Sequence, residues 1–305
     1  MSQFCDVGAI VGQGTMGGAL VSQGVLDEGI SEQFSAGGED EMRYGSVKLG
    51  PLIFQDDVLH GVDGIKEARN ANNKMAKVVM KLNLKFNEDK TFCIVIGSAK
   101  QRKAIKEKLQ IEPLMCGNFE TKLKDSFKWL GQTLSSGGLA ESVSETVASR
   151  KGKIQGACLE IATIVNDWRS QIVGGMETAL VLWEACCVPS LLHGAGTWTN
   201  ISTATEKELN KIQSWFLRLI LQVGQGAPLV SLSWDSSVLD MGLRVKKEKI
   251  LMVMHLRSLS KDTLARQIYE EQYTNNWPGL ALETRKICEE LALEDCNTVI
   301  QDKAL

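Results

Sequence analysis

From Gly64 to about Leu84, apolar residues recur at spacings of three and four: Ile65, Ala68, Ala71, Met75, Val78, Val79 and Leu82. That period predicts a helix with one buried face. The neighbouring segments read differently. Val7 to Ile10 is a short apolar run that predicts a strand, followed by the glycine-rich turn GQGTMGG and a helix to about Gly29. Residues 31–42 are polar and contain glycine, which predicts a loop. Two apolar arms, Leu52-Ile53-Phe54 and Val58-Leu59-His60, flank Asp56 and Asp57, which suits a tight hairpin. Phe92 to Ile96 predicts a further strand ending at Gly97, with a basic helix or loop after it.

Beyond Ser135-Ser136-Gly137-Gly138 the pattern changes to helices broken by short loops, roughly 141–173, 175–193, 203–222, 243–271 and 281–294. Strands and helices are thus segregated, which predicts an α+β fold with a small antiparallel sheet. Boundaries are expected near residues 137 and 226, giving segments 1–137, 138–225 and 226–305.

Composition narrows the classes. The apolar fraction of 44% and charged fraction of 23% are globular values. A net charge of −3 argues against a uniformly basic surface, yet it hides a split. Residues 1–60 hold two basic and nine acidic side chains, a balance of −7, whereas residues 66–108 hold twelve basic and four acidic ones, a balance of +8. Such a block is either a phosphate-facing surface or the solvated side of helices. The eight cysteines form no C-x-x-C pair and the three histidines lie far apart, so zinc is poorly supported. No secretory signal opens the sequence, and its most apolar stretch, Ala179 to Leu192, is interrupted by Glu184 and Pro189. An intracellular protein of nucleus or cytoplasm, neither secreted nor membrane-bound, is expected. Oligomeric state is not legible.

Gly12-x-Gly14-x-x-Gly17 after a strand matches the dinucleotide-binding fingerprint, which points to an NAD(P)-dependent oxidoreductase. The acid-ended second strand such a unit needs is replaced by the polar run SEQFSAGGEDEM, so this reading ranks behind the next.

Phe54-Gln55-Asp56-Asp57, an aromatic and two aspartates between apolar arms, resembles the C motif of reverse transcriptases. Phosphoryl transfer needs carboxylates at a fixed point to hold divalent cations, and a hairpin on a sheet provides one. The neighbouring motifs follow in the family's order. Gln13-Gly14 resembles the B motif, although Met16 and Gly18 stand where proline and serine are common. Leu84-Lys85-Phe86-Asn87-Glu88-Asp89-Lys90-Thr91 resembles the D motif, L-x-x-N-x-x-K-T, with Asn83 in place of its opening glycine; asparagine also visits left-handed conformations. Phe127-Lys128-Trp129-Leu130-Gly131 resembles the E motif. Pro189-Ser190-Leu191-Leu192-His193-Gly194-Ala195-Gly196-Thr197-Trp198 resembles the thumb signature of LINE-type enzymes, and Ile212 to Ile220 stands where their thumb helix follows. The chain thus resembles the palm and thumb of a non-LTR retrotransposon reverse transcriptase over residues 8–222.

The resemblance implies RNA-templated DNA synthesis. It assigns Asp56 and Asp57 to a two-metal Mg²⁺ site, Lys90 to the triphosphate, Gln13 and Gly14 to the incoming nucleotide, and Trp129, Leu130 and Gly131 to the primer. Implied partners are an RNA template, a DNA primer and a deoxynucleoside triphosphate. The family's third aspartate and its fingers belong upstream of the B motif, so the 305-residue chain alone is expected to be inactive. A non-catalytic remnant that binds nucleic acid through residues 66–108 is the other alternative. His193, Trp215, Leu219 and Ile212 are expected to be packed.

Overall fold

The computed structural model describes residues 8–12, 42–54, 57–83, 85–168 and 175–293, without the side chains of 8–12, 53, 54, 57, 166–168, 229, 234 and 235. The protein is a mixed α and β chain that divides into two compact units, 1–128 with 134–138, and 129–133 with 139–305.

The first unit is built on a five-stranded sheet. Its strands are β1 (Gly8–Gly12), β4 (Leu52–Phe54), β5 (Asp57–Val62), β6 (Phe92–Ile96) and β9 (Lys122–Lys124), in the order β4-β5-β1-β6-β9. The first three contacts are antiparallel and only β6–β9 is parallel. β6 is buried over Phe92 to Val95, as its unbroken apolar run requires of a strand flanked on both sides. Helix α1 (Ile65–Lys81) packs on β1 and β5 with Ala68, Ala71, Met75 and Val78 buried, the face given by the three-and-four spacing. It ends at Asn83, which takes a left-handed φ of 53°. Helix α2 (Ala99–Ile111) begins with a capping box, in which Ser98 accepts from the Gln101 amide and the Gln101 side chain accepts from the Ser98 amide. Two hairpins complete the unit: β2 (Met42–Tyr44) with β3 (Val47–Leu49), and β7 (Met115–Cys116) with β8 (Phe119–Glu120). The buried Asn72 of α1 donates to the Met115 carbonyl and the Thr121 hydroxyl, tying the second hairpin to the helix.

The sequence pattern missed these two hairpins and β9. All are two or three residues long, too short for a period to develop. β1 also runs on to Gly12, so the first glycine of the turn motif lies within the strand and not in the turn.

The division between the units runs through a two-stranded hairpin, β10 (Ser126–Trp129) and β11 (Gln132–Ser135). The second unit is otherwise helical. Helix α3 (Leu139–Trp168) is 30 residues long, about 45 Å. It buries Val143, Val147, Ile154, Cys158, Ile161 and Val165 along one stripe. Helix α4 (Gly175–Leu182) passes through a π-helical turn, Trp183–Cys187, into the short α5 (Val188–Leu191). The Val188 amide bonds to the Trp183 carbonyl five residues back, a widened turn just before Pro189, which has no amide hydrogen to offer. Helix α6 (Thr203–Leu221) stacks Phe216 on Trp183, ring centroids 4.6 Å apart, in a core shared with Leu191, Leu209 and Leu217. Helices α7 (Leu229–Asp235), α8 (Met241–Ser258), α9 (Leu264–Asn275) and α10 (Leu280–Glu290) complete the unit.

The helix expected over 243–271 is therefore two. Arg266 of α9 donates to the carbonyls of Arg257 and Leu259, capping the end of α8 where the chain turns. Lys249 of α8, almost wholly buried, pairs with Glu283 of α10 at 2.7 Å. Glu283 also accepts from the Asn200 amide.

Candidate functional site

In the first unit, register gathers the sequence-predicted positions at one end of the sheet. Gly12, the last residue of β1, pairs with Leu59 near the start of β5 and with Phe92, the first residue of β6. The end of β1 and the beginnings of β5 and β6 therefore share one edge, with β5 and β6 about 10 Å apart across β1. Asp57 opens β5, opposite Phe54 of β4, so the acid pair sits at a hairpin turn as expected. Lys90 precedes β6 by two residues. Gln13, Gly14 and Asp56 lie outside the described residues, as does the Asp57 side chain.

The segment before β6 shows what its residue types do locally. The Asn87 side chain accepts from the amides of Asp89 and Lys90, and its carbonyl accepts from the amide and hydroxyl of Thr91. This asparagine-held turn leaves Lys90 exposed and buries Thr91. Beside it Lys122 donates to Asp89 at 2.8 Å, which holds the Asp89 carboxyl below the usual range.

The basic block of residues 66–108 is partly neutralised. Arg69 pairs with Glu112, Lys103 with Glu107 and Lys106 with Asp125. The hydrogen bond from Lys106 holds the Asp125 carboxyl low. Burial pushes the Cys116 thiol up to about 12, so it is a packed thiol and not a nucleophile.

In the second unit the structure brings together two motifs that lie 60 residues apart in sequence: the β10–β11 turn and the segment Leu191 to Trp198. Leu130 and Gly131 have φ of 46° and 78°, the positive pair that a two-residue type I′ hairpin loop demands. The Gln132 side chain donates to the His193 carbonyl and accepts from the Trp198 indole at 2.9 Å. From α3, Arg150 donates to the carbonyls of Gly131 (2.6 Å), Leu191 (2.9 Å) and His193 (2.9 Å). Its guanidinium carbon lies 5.8 Å from the Trp198 ring centroid. Desolvation lowers the Arg150 pKa from its ordinary value. One turn earlier on α3, the Thr146 hydroxyl accepts from the Thr133 amide at 2.8 Å.

The glycines of the thumb-like segment have separate reasons. Gly194 is left-handed, with φ of 76°, and a Cβ there would collide with the Gln132 amide. Gly196 is held against α8, where a Cβ would lie 2.8 Å from the Met252 Cβ and 2.9 Å from the Glu248 carbonyl. His193, expected to be packed, is exposed, and its carbonyl makes the contacts described. Ile212 is buried, whereas Trp215 and Leu219 are only half-buried. Arg150 and Gln132 escaped the sequence reading because neither belongs to a motif and their partners are up to 66 residues away.

Among the described residues, no group of three or more His, Cys, Asp or Glu side chains is placed to hold a metal ion. No helix among them is long and apolar enough to cross a membrane. No protein-family model matches the chain, and the search of curated proteins finds no match.

Proposed function

We propose that this chain is the palm and thumb portion of an RNA-directed DNA polymerase of the non-LTR retrotransposon type. The observation that carries this reading is the shared edge of the sheet. Three segments separated in sequence, the one that leaves β1 into Gln13-Gly14, the one that opens β5 at Asp57 and the one that brings Lys90 to β6, meet there by backbone register alone. A polymerase needs nucleotide contacts, metal-binding carboxylates and a cation for the leaving pyrophosphate at one place. The dinucleotide alternative gains no such support. Its glycine turn belongs in a parallel sheet, and β1 is antiparallel to both neighbours.

On this reading Asp56 and Asp57 would hold Mg²⁺, for which adjacent carboxylates at a hairpin turn are a suitable hard donor set. When bound, the metal pair stabilises the attacking and leaving oxygens of phosphoryl transfer. Lys90, exposed beside β6, would meet the triphosphate, and Gln13 and Gly14 the incoming nucleotide. The turn Trp129-Leu130-Gly131 would meet the primer. The partners are an RNA template, a DNA primer and a deoxynucleoside triphosphate.

Paramagnetic titration with Mn²⁺, a spectroscopic substitute for Mg²⁺, tests the metal site. The reading expects a bound Mn²⁺ that Mg²⁺ displaces and that the double variant Asp56→Asn/Asp57→Asn does not bind. Mn²⁺ binding that is unchanged in that variant, or absent from the parent chain at millimolar metal, counts against it.

A further inference from the structure

Leu130 combines two features that oppose each other in a turn of purely structural role. Its φ of 46° is a conformation that glycine and asparagine adopt readily and a branched apolar side chain does not. Its side chain also recovers little by packing, because Leu130 is 44% exposed. The turn must be fixed from outside, and the surrounding hydrogen bonds show how. Arg150 gathers three carbonyls from two chain segments, one of them that of Gly131, the second turn residue. Gln132, the residue after the turn, is anchored at both ends of its amide, to His193 and to Trp198. Thr146 holds the next amide, that of Thr133.

We propose that Arg150, assisted by Gln132, is a positioning residue that keeps the Trp129–Gly131 turn in its strained shape, so that Leu130 is displayed preformed to a primer–template duplex. The duplex as partner rests on the polymerase reading above. Arg150 itself does not reach the nucleic acid: its donors are spent on carbonyls, and it acts through the turn. A guanidinium can serve three acceptors from one planar fork, whereas an ammonium on a flexible stem cannot hold the same arrangement. A role of charge alone would be rescued by lysine; a role of geometry would not.

The test uses the full chain, Arg150→Lys and Leu130→Gly, with two readouts. One is amide hydrogen exchange; the other is anisotropy of a labelled DNA primer annealed to a longer RNA template. Arg150→Lys is expected to speed exchange at residues 130–133 and 192–198 about tenfold, leave α6 unchanged, and weaken duplex binding about tenfold. Leu130→Gly is expected to keep that protection, raise or hold the melting temperature, and still weaken duplex binding. Unchanged exchange in Arg150→Lys overturns the proposal whatever the duplex does. Faster exchange with unaltered duplex affinity overturns it while leaving the polymerase reading intact. A parent chain that binds no duplex overturns both, and the exchange data then show whether Arg150 holds the turn at all.

Discussion

Gln213 lies on α6 one turn before Phe216 and Leu217, with no exposed surface, and neither of its amide atoms has a hydrogen-bond partner among the described residues. A buried amide without partners gives up its hydration for nothing in return, so an apolar side chain of similar shape should do better there. Gln213→Met is therefore expected to stabilise the chain by about 1 kcal/mol in urea denaturation. A loss of that size would mean that the amide is satisfied. Single residues of this kind divide sharply in legibility. The left-handed Asn83 could be anticipated from residue type, because asparagine tolerates positive φ. Arg150 could not, because its importance comes from three carbonyls 19 to 43 residues away. Leu130 is the opposite case: local propensity argues against its conformation, and only the tertiary bonds around it explain how it is kept.

At the scale of elements, apolar period was a good guide wherever an element was long enough to show one. The stripe Val143, Val147, Ile154, Cys158, Ile161 and Val165 on α3 and the buried face of α1 follow from spacing. The break between α8 and α9 did not, since Arg266 creates it by bonding the end of the preceding helix. Pairs between helices were equally hidden. Glu208 of α6 accepts from Lys151 of α3 at 2.6 Å and lies 3.5 Å from Lys211; the hydrogen bond from Lys151 is the main cause of its lowered pKa. Because the folded value is below the ordinary 4.5, the bond's contribution is whole above that pH and is lost as pH falls through the folded value. For a partly exposed pair the contribution is about 0.2–1 kcal/mol. Glu208→Gln should therefore lower stability by that amount at pH 7, with the difference from the parent closing as the pH drops below 4.5. A difference that persists unchanged in acid would assign the effect to packing.

At the scale of the whole molecule, the order of motifs along the chain carried more than any motif alone. Two aspartates between apolar arms are common in turns. Followed by a helix and an asparagine-held lysine turn, they acquired a spatial prediction, that these segments share one place. The register of β1, β5 and β6 puts their described portions at one edge of the sheet. The division into units was less legible, because it cuts through the β10–β11 hairpin and follows no change in composition. The joint between the turn and the Leu191–Trp198 segment was hidden for the same reason as Arg150, since side-chain bonds across 60 residues leave no periodic trace in sequence.

The central claim is that this sheet edge holds metal and nucleic acid together, and metal dependence of duplex binding tests it most directly. Anisotropy of a recessed RNA–DNA primer–template is measured with Mn²⁺ and with chelator, for the parent chain and for Asp57→Asn. The account predicts tighter binding with Mn²⁺ than with chelator, by about tenfold, and loss of that difference in Asp57→Asn. Equal affinity with and without metal, falling steeply with salt, would contradict the polymerase reading and leave a protein that holds nucleic acid by charge alone.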